Sequence, residues 1–500
     1  MAAVQAVALY GAELWWRGQK DRQRELQLLI NQQARQITGA FRTTPVGPLL
    51  KEAGLEPAET TLESRQLGYT IRLLGLPRKH PVKNILPITF REGDRHAQPG
   101  EQPLNDREWA EGRGNPSCLG QHLARQIASI LQVDPSGGFE EIEVGELSGG
   151  FPGRIAILPT EEALEQTSRQ FSGQVFWSDG SRLEDGRVGA GVAWQVTEGQ
   201  WQTKEVPLGK GLEVFDAELT GACEALEAAT IGNGQTGPVR IFLDSQPAIK
   251  RLKHTEPGAG QALAIRARKA AQELADQGRE VTILWVPGHK GVEGNERADQ
   301  AAKRATEKSP RNARGKISLA FLKRTKTEER AKSRKKWLKR ALDRRGQGQR
   351  SWKVESNWKQ DPVVAGAPKK IACRYYQLKT GHAAIGAYLR KIGAQETETC
   401  QWCSAPRESV NHLLFECRNW RKERKRMYET FAQNKVLTPR PLEEAPEVRI
   451  FGMKEASKGL LQFLGETQVG LAINEASAQA ERERRESEWG IEDLDQEEEE

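Results

Sequence analysis

Four carboxylates stand in settings where metal chemistry is possible: Asp179 in FWSDGS, Glu218 in FDAELTGACEAL, Asp244 in IFLDSQ and Asp299 in GHKGVEGNERADQAAK. Clustered carboxylates repel one another unless a positive group neutralises them, and that group is usually a metal ion. Hard oxygen donors suit Mg2+, which keeps part of its water shell and binds few protein groups. Any one of these aspartates alone reads as a turn or cap residue. Together they read as a site, provided one fold can gather them.

A second set uses softer donors. Cys400-Gln-Trp-Cys403 is followed, after eight intervening residues, by His412 and, after four more, by Cys417. Three thiolates and an imidazole make a closed tetrahedral site with no position left for water, so the spacing predicts structural zinc. Trp402, Phe415 and Trp420 lie in or beside this motif, ahead of the basic run RKERKR. Aromatics plus cations suit single-stranded nucleic acid; the alternative is that the aromatics form the module's own small core.

The first set needs a sheet to position it. QVFWSD and GAGVAWQV read as neighbouring strands joined by a turn at GSRLEDGR, and WQTKEVPL as a third. Asp179 is expected to end the first strand, on the same face as Val175 and Trp177. A helix from near Val214 places Glu218 in line with Ala222, Ala225 and Ala229, a small face for close packing. The strand VRIFLD ends at Asp244, and VTILWVP reads as a further buried strand. Behind it, the loop GHKGVEGN carries His289 and leads into a helix. Asn295 is expected to cap that helix and Asp299 to sit in its first turn. This order predicts an α/β unit, a mixed sheet with helices on its faces and a site at the carboxyl ends of its strands.

With 500 residues the chain has room for several domains. Mean hydropathy is −0.67, and no apolar run reaches the length of a membrane span. The N-terminal stretch MAAVQAVALYGAELWW lacks a basic leader and a cleavage site, which predicts a protein that is not secreted. Six cysteines are too few for a disulfide scaffold. The net charge of +7 hides an asymmetry: residues 311–350 hold sixteen Lys and Arg against three acids, and the last twenty residues hold eleven acids against three Arg. The basic block suits a polyanion, or else is a solvated linker.

Residues from about 171 to 308 resemble a type 1 ribonuclease H domain, on SDGS, the glutamate of DAELTGACEAL, LDS and GHKGVEGNERADQAA. The resemblance implies a ribonuclease H-like mixed five-stranded sheet with flanking helices. It makes Asp179, Glu218, Asp244 and Asp299 ligands of two catalytic Mg2+ ions, and gives His289 a part in proton transfer or product release. It also implies endonucleolytic hydrolysis of the RNA strand of RNA–DNA hybrids, the strand being chosen through its 2′-hydroxyls. LYGAELWW, GAFRTTPVGPLLKEAGLEPA and LKTGHAAIGAYLRKIG, with the zinc motif behind them, resemble the C-terminal part of non-LTR, LINE-like retrotransposon polyproteins. There a reverse transcriptase is followed by ribonuclease H and a CCHC zinc knuckle. This chain has no paired-aspartate polymerase motif.

The expected organisation follows. Residues 1–85 form a helical segment corresponding to the region after the polymerase palm, 86–169 a linker, 170–308 the ribonuclease H domain, and 309–370 a basic helical linker. Residues 371–465 hold the small zinc-binding C-terminal module, and 466–500 a helical end and an acidic disordered tail. Expected partners are an RNA–DNA hybrid, single-stranded RNA or DNA held by the basic block and zinc knuckle, and the missing polymerase part; no membrane is expected. The nucleus is favoured over the cytoplasm. The competing expectation is a non-catalytic nucleic-acid-binding remnant of a retrotransposon.

Overall fold

The computed structural model describes residues 2–88, 90, 116–143, 150–197, 199–231, 237–309, 316–343 and 358–471. It divides into a sheet-containing unit, Gly11–Gln19 with Leu62–Arg330, and a helical unit, Met1–Tyr10, Lys20–Thr61 and Ala331–Glu500.

The sheet runs β1 Arg154–Ala156, β2 Gln174–Arg182, β3 Val188–Thr197, β4 Gln200–Gly209, β5 Val239–Leu243 and β6 Val281–Trp285, in the order β1-β6-β5-β2-β3-β4. β2, β3 and β4 form an antiparallel meander, whereas β2, β5, β6 and β1 are parallel. Alternation of side chains sends Phe176 and Trp177 into different cores. Phe176 packs under helices Val214–Ile231 and Gln261–Asp276. Trp177 stacks on Phe242, ring centroids 4.2 Å apart, beneath helix Glu293–Glu307.

The expected mixed sheet with flanking helices is present, with six strands in place of five. The added strand, β1, lies in the stretch expected to be a linker. That stretch also holds helix Pro116–Ala128, whose Leu123, Ala124 and Ile127 are fully buried, and helix Thr160–Ser168. A three-residue strand is too short to show alternation, and the surrounding glycines and prolines hid it. The basic linker is corrected in the same way: its helix, Leu319–Asp343, opens with Leu319, Phe321 and Leu322 buried against Leu67, Ile71 and Ile127. The expected acidic tail from 481 lies outside the described residues.

In the helical unit, residues 20–61 pack against chain some three hundred residues later. The Trp358 indole N–H donates to the Leu55 carbonyl at 2.7 Å, and the Gln377 amide to the Gly39 carbonyl at 2.7 Å. Lys379 pairs with Glu52 at 2.9 Å, both largely buried, and Phe41 stacks on Tyr388. Gly39 needs to be glycine twice over: its φ is +64°, and a Cβ would fall 2.3 Å from Cys373 Sγ. Thus GAFRTTP and LKTGHAAIGAYL, separate motifs in the sequence, form one packed surface here. The expected 1–85 segment is not one body: residues 1–10 and 20–61 join this unit, and residues 11–19 and 62–85 the other. Helix Ser457–Glu466 packs in this unit, and the Arg374 guanidinium caps it by donating to the Leu464 and Thr467 carbonyls. Among the described residues no helix is long and apolar enough to cross a membrane.

β3 and helix Glu293–Glu307 pack closely, with Gly191 facing Ala298 and Ala302. A Cβ on Gly191 would lie 2.2 Å from the Ala298 carbonyl oxygen and 2.3 Å from the Ala302 nitrogen. Gly191→Val is therefore expected to destabilise this unit by about 3 kcal/mol or more. Urea unfolding checks it; an unchanged midpoint would mean that the helix is not held this closely.

Candidate active site and metal centre

Parallel pairing of β2 with β5 ends at Ser178 opposite Leu243, so Asp179 and Asp244 emerge side by side. Asp179 does not end its strand as expected. β2 runs on to Arg182, because the hairpin with β3 continues through Asp179 opposite Gly191 and Arg182 opposite Val188. Gly180 lets the Glu218 helix approach this strand, since a Cβ there would sit 2.8 Å from the Glu218 nitrogen. Ligand oxygens of Asp179, Glu218 and Asp244 consequently lie within 4.8 Å of one another.

Asp299 stands just outside that trio. Its carboxylate is 20% exposed and pairs with Lys303 at 2.7 Å. Helix Glu293–Glu307 begins three residues earlier than an Asn295 cap requires: Val292 is the N-cap, and Asp299 falls in the second turn, not the first. Asn295 is buried inside the helix instead, with its side chain beside Asp244, where it favours the charged carboxylate. His289 is exposed on the preceding loop with φ +55°, near enough for its charge to act on Asp244. Its neighbour Gly288 leaves room for that carboxylate, since a Cβ would lie 2.7 Å from Asp244 Oδ2.

The electrostatics are those of a site made for cations. Burial, and then Asp244, push the Asp179 carboxyl up to about 7, with the Gly180 N–H pulling the other way. Burial and the same neighbours raise Glu218 well above the carboxylate range. Asp244 is raised by burial, with His289 opposing. Glu218 Oε2 is buried and meets no hydrogen-bond donor among the described residues. Three hard oxygen donors at this spacing, one of them orphaned, fit a divalent cation.

In the helical unit, Cys400, Cys403, His412 and Cys417 offer one ligand atom each, all within 4.8 Å. Cys403 Sγ is 3.2 Å from His412 Nε2, and His412 Nδ1 is 3.6 Å from Glu416, which orients the ring toward the thiols. Burial lowers the His412 pKa and keeps the imidazole neutral, as ligation requires. Crowding by Cys417, with burial, raises the Cys400 thiol. All four expected ligands meet and the donor set fits a tetrahedral soft metal. The expected stacking role of the aromatics is corrected. Trp402 and Trp420 are buried edge to face at 5.0 Å, and Phe415 packs against the same core.

Residues 172–307 match the family model for RNase H, and residues 340–422 match the model for zinc-binding in reverse transcriptase. The chain carries a ribonuclease H domain. The ribonuclease H domain is 27% identical over 154 residues to Ribonuclease H1 of Homo sapiens, covering 27% of this chain and 50% of that protein. The chain thus spans about half the length of this curated relative. It is 28% identical over 162 residues to Ribonuclease H of Polaromonas naphthalenivorans (strain CJ2), covering 30% of this chain and 97% of that one. Among solved structures it is similar to RNase H1 from the halophilic archaeon Halobacterium salinarum NRC-1, at 24% identity, TM-score 0.22, 27% of this chain and 98% of that one. It is also similar to a foamy viral protease-reverse transcriptase, at 21% identity, TM-score 0.23, 27% of this chain and 95% of that one.

Gly180, Gly288, Asn295 and the orphaned Glu218 oxygen were missed as site elements. The glycines adjoining Asp179 and His289 in SDG and GH were the available signal.

Asp179 binds its proton up to about pH 7 in the folded chain, against about 4 when unfolded. As pH rises through that window the unfolded chain ionises first, so the metal-free domain loses stability, on the order of 4 kcal/mol. Asp179→Asn is expected to raise the thermal midpoint of metal-free protein at pH 8 by a few degrees and to flatten its pH dependence. A lower midpoint at pH 8 would contradict this cause. Removing metal from the Cys3His site with a chelator is expected to unfold the segment around residues 395–420. Metal counting checks the ligand set, and a folded chain with no zinc rejects it.

Proposed function

We propose that the chain is a magnesium-dependent endoribonuclease that hydrolyses the RNA strand of RNA–DNA hybrids, working within a retrotransposon-derived reverse-transcriptase polyprotein. The observation that carries this reading is the convergence of Asp179, Glu218 and Asp244 within 4.8 Å at the carboxyl edge of a ribonuclease H sheet. Asp299 completes the set from the facing helix. When bound there, two Mg2+ ions supply activation of water and stabilisation of the departing oxyanion.

The protein's own groups have separable tasks. Asp179 and Glu218 exchange protons for cations, since burial and then the neighbouring carboxylates raise their proton affinity. Asn295 stands beside the Asp244 carboxylate and favours its charged form, the form that binds a cation. His289 stands at the solvent edge beside Asp244, where an imidazole can pass a proton to the leaving 3′ oxygen or assist product release. Choice of the RNA strand rests on 2′-hydroxyls and helix shape. Zinc is the structural ion of the Cys3His site. Single-stranded RNA or DNA is held by the cations of helix Leu319–Asp343 and of helix Arg421–Gln433, whose Arg421, Lys422, Lys425 and Arg426 are exposed. A nuclear setting follows from the polyprotein reading.

The test is cleavage of a labelled RNA–DNA hybrid with Mg2+, beside matching single-stranded RNA. Hybrid-only cutting is expected, falling about a thousandfold or more in Asp179→Asn, because several kcal/mol of charge stabilisation is lost. His289→Ala is expected to slow cutting by about 10²-fold without abolishing it. A folded chain that binds hybrid but cuts nothing would leave a binding module in place of an enzyme.

A further inference from the structure

In the helical unit, residues of three segments, among them Gln23, Pro45, Val46, Glu59, Trp337 and Arg340, line a cavity of about 360 Å³. Residues 331–342 contain six cations and no acid. At 100° per residue, Lys332, Lys335, Lys336, Lys339 and Arg340 occupy one face of about 140°. All five are exposed. Leu338 points away from that face and is buried, while Arg334 is held by Glu56 at 2.8 Å. Trp337 lies at the edge of the cationic face, next to Arg340, where the helix meets the cavity.

A row of cations beside a half-buried indole is the arrangement that tracks a phosphate backbone and accepts an unstacked ring. The cavity is at the small end of the range for ligand pockets, so it suits one base and not a large cofactor. Pro45, Val46 and Gly47 give it an apolar wall, and Gln23 and Glu59 offer donors and acceptors to a base edge.

We propose that this cavity receives one unstacked base of a single-stranded polynucleotide whose phosphates lie along Lys332, Lys335, Lys336, Lys339 and Arg340. The inference rests on the proposed single-strand binding by this helix and adds the base site to it. The backbone supplies salt-dependent affinity, and Trp337 supplies a contact that survives salt.

The test is fluorescence anisotropy of the full chain with labelled oligouridine and oligothymidine of about twelve nucleotides. The same strands carrying alternate abasic sites are run beside them, at salt between about 50 and 200 mM. Trp337→Ala is expected to weaken binding about tenfold with an unchanged salt slope, and Trp337→Phe to restore most of it. Abasic sites should weaken wild-type binding by a similar factor and leave Trp337→Ala unaffected. The triple variant Lys335→Ala, Lys336→Ala, Lys339→Ala should flatten the salt slope. If that slope flattens but Trp337→Ala and abasic strands bind as wild type does, the base site falls and the basic helix stands. If folded wild type binds no single strand, both fall. Uridine monophosphate displacing the strand at micromolar concentration, or polyglutamate binding in a Trp337-dependent way, would also overturn the proposal, for a free nucleotide or for an acidic polypeptide.

Discussion

Three carboxylates held within 4.8 Å repel one another, and the sheet unit has to resist that repulsion. Its means is rigidity on both sides of the trio. β2 and β5 share a parallel register that brings Asp179 and Asp244 out together, and neither can move without breaking the ladder. Glu218 is carried by a helix whose small residues, Gly221, Ala222 and Ala225, allow close approach to β2 and β3. On the other face Gly191 admits helix Glu293–Glu307, which brings in Asn295 and Asp299. The small residues flanking the site are thus part of its electrostatics, because they set how near the charges come.

The same constraint explains how far helix Leu319–Asp343 is tied to the domain before it. Asp216, buried two residues before Glu218, accepts a hydrogen bond from Ser318 Oγ at 2.6 Å and from the Glu213 amide at 2.8 Å. Glu140 accepts from the Leu319 and Gly260 amides, and Arg324 pairs with Glu213 at 2.6 Å. The beginning of the basic helix is therefore fixed to the helix that presents Glu218. Polar satisfaction of buried carboxylates does this, alongside the apolar contacts of Leu319 and Leu322.

Much of the site was legible because its signals are local. SDGS and LDS mark residues where parallel pairing stops, and the alanines in line with Glu218 mark a packed helix face. The Cys3His spacing is likewise a short-range pattern. Asn295 was misjudged because asparagine near a helix start is usually a cap, and only the tertiary placement of Asp244 shows what its side chain faces. Trp402 and Trp420 were ambiguous because an indole suits a stacking surface and a small core equally well. The pairing of residues 20–61 with 358–391 had no local signal: Gly39 and Cys373, or Leu55 and Trp358, are related by contact alone.

That pairing has a consequence for synthesis on the ribosome. The partners of Gly39, Glu52 and Leu55 lie roughly three hundred positions downstream, with the whole ribonuclease H domain between them. At about 5–20 residues per second, the early helices wait roughly 15–60 s before their partners emerge. The nuclease domain can form meanwhile from contiguous chain, as a bulge within an unfinished body. During that interval the faces of Phe41, Glu52 and Leu55 that the later chain covers are open to chaperones and to other nascent chains. Translation speed through the intervening region therefore decides how long the first part of the protein stays exposed.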